Sequence, residues 1–425
     1  MFLDDMLLAQ KRGIMRGVPS ICSSHPWVLK ESMRIAGAAG PCLIEPTCNQ
    51  VNQYGGYSGM TPIDFVRYVR GIAAEVEFRF ENIILGGDHL GPSIWQTATA
   101  EAAMQEAEVL VRDYVRAGFL KIHLDCSMRL GDDPQAGLDP EISARRAARL
   151  AKAAEKARTE GMLQPWYVIG TEVPVPGGVQ NAEADLRVSE VADVSRTLDL
   201  TRRAFEGEGL RGAWERVLAV VVQPGVEFGD DFVARYQPEN AMDLVRFIEA
   251  QPMVYEAHST DYQTREALGQ MVRDHFAILK VGPALTFAFR EAVFALAMME
   301  DQLLPEEERS NLVAVVEAVM RRRPEHWRRY YRGSEGEQAF KRKFSFSDRM
   351  RYYWPDPQIQ AAFRTLLHNL KEAPPPPSML SQFAPRQYDR VRDGESAATP
   401  EALIARRLSE VLLDYQSACG LTQAG

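Results

Sequence analysis

Short apolar runs with strand character recur eight times along this chain, each followed by a longer helix-like segment, and that alternation restricts it to parallel strands joined by crossover helices. The runs cover residues 18–22, 42–45, 83–85, 119–125, 166–172, 217–222, 253–258 and 276–281. Their nearly continuous apolar character implies burial on both faces. Eight such units within about the first 300 residues predict a (β/α)8 TIM barrel, a fold of about 250 residues with room for insertions. An open doubly wound sheet is the alternative. No G-x-G-x-x-G follows the first run, so a dinucleotide fold loses its main support.

The helices are expected at 28–39, 98–117 and 140–158, and in a long segment ending near 205. Another runs to about 76 from Thr61, with Pro62 at its first position and Asp64 three residues on. Residues 1–13 read as a short amphipathic helix. Beyond 300 the strand signal fades: helices are expected at 306–320, from 355 to about 371 and at 400–413, with a semi-rigid linker at the proline run 374–377. The predicted division is a barrel carrying the site at 1–300 and a helical C-terminal extension packed on it at 301–425.

With 46% hydrophobic and 25% charged residues the chain can fill a large core, and a net charge of -9 disfavours nucleic acid or an anionic membrane as partner. The five cysteines are scattered and lack C-x-x-C spacing, so neither a disulfide framework nor a cysteine zinc site is indicated, and a cytoplasmic location is expected. The N-terminus has no basic start, apolar h-region or cleavage site, and no apolar run approaches the ~18 residues of a membrane helix.

Chemistry-bearing residues gather at the ends of the runs. Glu45 ends the second; Asp88 and His89 follow the third, inside Gly86-Gly87-Asp88-His89-Leu90-Gly91-Pro92; His123 and Asp125 end the fourth, Glu172 the fifth, Gln223 the sixth and His258 the seventh. A barrel delivers these ends to one mouth. Two imidazoles with carboxylate and amide oxygens make a divalent-metal site, with His89, Glu172, Gln223 and His258 as expected ligands. The mixed set suits Zn²⁺ or Mn²⁺, with Co²⁺ or Ni²⁺ as alternatives, better than Mg²⁺ or Ca²⁺. A hydrogen-bonded polar layer without metal is the competing explanation. His123 and Asp125 read equally as sugar-binding groups or as a buried salt-linked pair. His25 is a further candidate for the mouth, while His275, His326 and His368 read as surface or core residues. The basic, aromatic tail, with Arg328, Arg329, Arg332, Arg349 and Arg351 beside Tyr352, Tyr353 and Trp354, would hold a phosphate if it folds over the mouth and would otherwise be a solvated face.

These residues lie in the motifs GGDHLGP at 86–92 with Trp95-Gln96 beyond it, IGTEVPVPGG at 169–178, EAHSTDYQT at 256–264, LKVGPALTFAFREA at 279–292 and FSDRMRYYWPDP at 346–357. Over nearly its whole length the chain resembles the GatZ/KbaZ family, known as the tagatose-bisphosphate aldolase accessory subunit and formerly as a tagatose-6-phosphate kinase. The family is similar to zinc-dependent class II aldolases, which are (β/α)8 barrels. The resemblance implies Asp88 as a catalytic acid/base and His89 and His258 as metal ligands; Asp125 or Glu45 is expected as the counterpart of Asp88. The aldolases' strand-six histidine has no counterpart here; Gln223 stands near its place. His123, Asp261, Lys280, Arg349 and Arg351 are expected as substrate-binding groups. Where the aldolases use glycine N–H groups to hold a phosphate, Asp261 and Tyr262 would repel or block it, which favours a monophosphate or free ketose over a bisphosphate. No Walker A loop is present to support a kinase.

The function implied is metal-dependent C4 epimerisation of a ketohexose or ketohexose 6-phosphate of the tagatose/fructose series by retro-aldol and aldol steps. The alternatives are a non-catalytic subunit stabilising a tagatose-1,6-bisphosphate aldolase partner, or that aldolase itself. Expected partners are a small-molecule ketose or ketose phosphate, a class II aldolase catalytic subunit, and a second copy of this chain.

Overall fold

The computed structural model describes residues 2–37, 40–135, 137–170 and 187–421. Eight parallel strands close into a barrel: β1 (Val18–Ile21), β2 (Cys42–Ile44), β3 (Ile83–Leu90), β4 (Lys121–Leu124), β5 (Trp166–Ile169), β6 (Val217–Val221), β7 (Val254–Ala257) and β8 (Phe276–Val281). Each strand pairs with its neighbours in sequence, and β8 returns to β1 with Ser20 opposite Lys280. This is the (β/α)8 barrel that the eightfold alternation predicts.

Two layers fill its interior. Val18, Leu43, Ile84, Val168, Leu218 and Val254 form one apolar cluster with Leu3 and Met6 of the helix Phe2–Lys11, which therefore plugs the amino-terminal end. Burying Leu3 and Met6 there contributes about 1.5–3 kcal/mol each. Two residues further along the strands the inward positions turn polar, with Ser20, Glu45 and Lys280 among them. The dry plug closes one end of the ring and leaves chemistry to the other.

Helix boundaries follow local signals. Thr61 and Asp64 form the expected capping box at the start of Pro62–Glu75. Thr99 caps Ala100–Ala117, which Gly118 ends in the left-handed conformation. The third strand departs from expectation: it continues through Gly86 and Gly87 to Leu90 instead of stopping at 85. These glycines serve close packing rather than termination. A Cβ on Gly86 would lie 2.2 Å from Glu45 Oε1, so the strand can carry only glycine where that carboxylate fills the interior.

After residue 300 the expected single helix at 306–320 is a short 3-10 turn, Glu306–Glu308, followed by Leu312–Arg322, and Asn311 in the left-handed conformation separates them. The proline run leads straight into helix Pro377–Phe383, so little linker remains. The last helix, Pro400–Ala418, packs against Pro26–Ala36, Arg265–Arg273 and Pro283–Leu303. Its Tyr415 hydroxyl donates to the Thr260 carbonyl at 2.7 Å. An antiparallel pair, Glu227–Phe228 with Val233–Ala234, lies outside the barrel. All five cysteines are free, and no helix among the described residues is long and apolar enough to cross a membrane.

Candidate functional site

Strand alternation sends every second side chain inward, so Lys121 with His123 on β4, and Glu256 with His258 on and just after β7, reach the same space. Lys121 is fully buried, its Nζ 2.6 Å from both Glu45 Oε1 and Glu256 Oε2. Lys280 Nζ lies 2.5 Å from Glu45 Oε2 and 3.0 Å from Asp88 Oδ1. Ser20 donates to Glu45 as well. Stripping water from one ion costs several kcal/mol, and close opposite charges recover it only when the geometry is good. Here the tally is uneven. Glu45, Asp88, Asp125 and Glu256 bring four buried negative charges against two from the lysines, a deficit that a divalent cation or protonated imidazoles would fill.

Three histidines stand above these pairs. Ring centroids are 4.9 Å apart for His89 and His258, 5.2 Å for His89 and His123, and 5.2 Å for His123 and His258. His123 Nδ1 lies 2.9 Å from Asp88 Oδ1 and accepts the His89 N–H at 3.2 Å, while its Nε2 is a buried atom with no hydrogen-bond partner. His258 Nε2 lies 3.0 Å from Glu256 Oε1. His89 occupies a β-bulge at φ 50, a conformation costing a non-glycine residue about 1–3 kcal/mol. That turn aims its Nδ1 at Asp125 Oδ2, 2.9 Å away, while Ser127 holds the other Asp125 oxygen through its N–H at 3.1 Å and its hydroxyl at 2.6 Å.

Burial pushes the Asp88 carboxyl up, but His89, Lys280 and the bond from His123 outweigh it and hold it well below the usual range. Burial keeps His258 neutral, with its pKa lowered to about 4. For His89, burial opposes the charge, yet Asp88 and Asp125 prevail and the pKa is raised.

One donor atom from each of Asp88, His123, Glu256 and His258 lies within 4.8 Å of the others. Two imidazoles and two carboxylates suit Zn²⁺ or Mn²⁺, and the orphaned Nε2 of His123 is what such an ion would satisfy. These residues fit a metal.

The structure brings Glu45, Asp88, His89, His123, Asp125, His258 and Lys280 together. It does not bring Gln223 to the cluster: its Oε1 accepts the N–H groups of Gly225 at 2.8 Å and Val226 at 3.0 Å, closing the turn after β6. Glu172 lies outside the described residues. Asp261 Oδ1 accepts from Gly282 N at 3.0 Å and Ala284 N at 2.8 Å, capping helix Pro283–Leu303, and burial raises its pKa to about 6. Arg351 and Tyr352 fold over the mouth, whereas Arg349 turns away onto Tyr330, its guanidinium carbon 3.0 Å from the ring centre. His25 is half-buried against the aromatic cluster, its ring centre 4.3 Å from that of Phe289 and its pKa lowered by burial to about 3. Glu256 and Lys121 escape a reading confined to strand ends. The signal was available, since each stands two residues before a singled-out histidine.

The pocket above this floor has a volume of about 90 Å³. Asp88, His89, His258 and Lys280 line its base; Asn49, Gln50 and Tyr57 join Arg351 and Tyr352 around its rim. A cation beside an ammonium can draw charge onto a carbonyl oxygen, and a histidine backed by a carboxylate can move a proton.

Residues 3–420 match the family described as "D-tagatose-1,6-bisphosphate aldolase subunit GatZ/KbaZ-like". The chain is 48% identical over 419 residues to proteins named D-tagatose-1,6-bisphosphate aldolase subunit GatZ from Salmonella heidelberg (strain SL476) and Salmonella agona (strain SL483), covering 98% of this chain and 99% of each of theirs. It also superposes with a TM-score of 0.87 on the crystal structure of a probable tagatose 6 phosphate kinase from Sinorhizobium meliloti 1021, at 46% identity, covering 95% of this chain and all of that one. The chain belongs to the GatZ/KbaZ-like family of D-tagatose-1,6-bisphosphate aldolase subunits.

Proposed function

We propose that the chain performs retro-aldol and aldol chemistry on a ketohexose or its phosphate, dependent on a divalent cation held by Asp88, His123, Glu256 and His258. The observation that carries this reading is the buried, unpartnered Nε2 of His123 among four donors within 4.8 Å of one another. A cation bound there would supply Lewis-acid polarisation of the C2 carbonyl.

The C4 proton of a 2-ketose is β to the carbonyl and not acidic, so enolisation cannot invert that centre; breaking and remaking the C3–C4 bond can. His89, oriented by Asp125, takes the C4 hydroxyl proton as the bond breaks and returns it on re-addition. Lys280 faces the negative charge left on the keto half. Asp88 has His123 and Lys280 as close partners and serves as ligand and anchor, so the acid/base role that the resemblance gave it passes to its neighbour. If the aldehyde half turns over before re-addition, the product is the C4 epimer; if it leaves and the keto half takes a proton at C3, the products are two three-carbon sugars.

The names of the Salmonella relatives favour a second reading, in which the chain serves a separate catalytic aldolase subunit. Incubating the purified chain with ketohexoses and their phosphates, alone and with such a subunit, each with Mn²⁺, Zn²⁺ or a chelator, separates the readings. Metal-dependent epimer or triose from the chain alone is expected. No turnover alone under any metal, with stimulation of the partner, would replace this proposal with the subunit role.

A further inference from the structure

We infer that the mouth of the pocket binds one phosphate ester, and only one, through Arg351 with the buried charge of Arg349 behind it. The inference rests on the reading of this site as one for a ketohexose and specifies the phosphorylation of that substrate.

Four arginines are almost wholly buried, and three have a carboxylate at ion-pair distance: Arg146 with Asp133 at 2.6 Å, Arg290 with Asp348 at 3.5 Å and Arg342 with Glu317 at 2.5 Å. Arg349 is the exception among the described residues. It lies over Tyr330, and its Nε has no hydrogen-bond partner. Two residues on, Arg351 also lacks an ion-pair partner: its N–H groups go to the Ser347 and Asp348 carbonyls and, at 2.9 Å, to the Tyr352 hydroxyl. The nearby acids are committed elsewhere, Asp348 to Arg290 and the Thr286 hydroxyl at 2.6 Å, Asp261 to its helix cap. Arg351, at the rim, has no carboxylate at ion-pair distance, although Asp348 and Asp261 lie near enough to act on its charge, and a phosphate would supply the close partner it lacks. The fork of Arg351 matches a phosphate's oxygens, and Arg351 is the member of the pair that lines the pocket.

Among the described residues the pocket has one other place built for an anion, the N–H groups of Gly282 and Ala284 at the start of helix Pro283–Leu303. The Asp261 carboxylate already holds both, at 3.0 and 2.8 Å. A second phosphate would have to displace a tethered carboxylate and face its charge. The site therefore takes a monophosphate.

The test is calorimetric titration of the full chain with a free ketohexose, its 6-phosphate and its 1,6-bisphosphate, repeated on R351Q and R351K. The monophosphate should bind about tenfold or more tighter than the free sugar, the bisphosphate no tighter than the monophosphate, and R351Q should erase the preference while R351K keeps part of it. Equal binding of free sugar and monophosphate, a bisphosphate that binds tenfold tighter, or a folded R351Q that keeps the preference would each overturn the inference. If R351Q does not fold, the wild-type comparison decides. Binding is read without turnover, so an inactive chain that prefers the monophosphate sinks the proposed reaction and keeps this site, whereas turnover of free ketose with no preference does the reverse.

Discussion

Replacing Lys121 with Met removes a fully buried ammonium and keeps most of its volume, which isolates the charge it supplies. Its two carboxylates do not lose equally. Glu45 keeps Lys280 at 2.5 Å, whereas Glu256 is left with Lys280 at 3.8 Å and His258. One carboxylate is therefore stranded, and breaking a buried pair from one side costs about 3–5 kcal/mol. With an unfolding entropy of about 2.1 cal/mol/K per residue, the 425-residue chain loses about 3–6 °C in melting temperature. The stranded carboxylate takes up a proton in acid, so the loss should be larger at pH 8 than at pH 5. Adding Glu256→Gln should recover part of it. Melting curves of the single and double variants at both pH values make the check. A loss under about 1 kcal/mol, or one independent of pH, would refute the view that this core is held by charge pairing.

Two further perturbations address single groups. Burial raises Asp261 to about 6, above the ~3.9 of an unfolded chain, so the folded state holds the proton more tightly and stability falls as pH rises from about 4 to about 6, then stays lower. Asp261→Asn keeps the oxygen that accepts from Gly282 and Ala284 and removes the charge; it should raise stability by up to about 2–3 kcal/mol at pH 8 and not at all below pH 4, as melting temperatures across that range will show. Asp125→Asn takes away the carboxylate behind His89 and should lower kcat by about 10²–10⁴ with metal content unchanged; an unaltered kcat would remove the His89–Asp125 pair from proton transfer.

The barrel was legible because buried parallel strands are nearly all apolar and each run is framed by helix signals. Local rules end the third strand at 85 because glycines usually end strands; in the fold Gly86 is the space that Glu45 fills, a long-range fact no local window contains. The site was legible where a polar residue ends an apolar run, as with His123, Asp125 and His258. Gln223 met the same rule, but its amide closes a local turn, a contact that competes with any ligand role. Glu256 and Lys121 sit inside strands, where a charged residue looks like an interruption until its partner across the ring is known. Arg349 and Arg351 looked equivalent in sequence; one short turn sends the first onto Tyr330 and the second to the pocket rim.

A cation held among Asp88, His123, Glu256 and His258 is the central expectation. Anomalous diffraction from crystals grown with Mn²⁺ or Zn²⁺, recorded on either side of the metal's absorption edge, answers this directly. One peak is expected at about 2.0–2.3 Å from His123 Nε2, absent in His123→Ala crystals. Density at that nitrogen with no anomalous signal, or a metal bound only elsewhere, would contradict it.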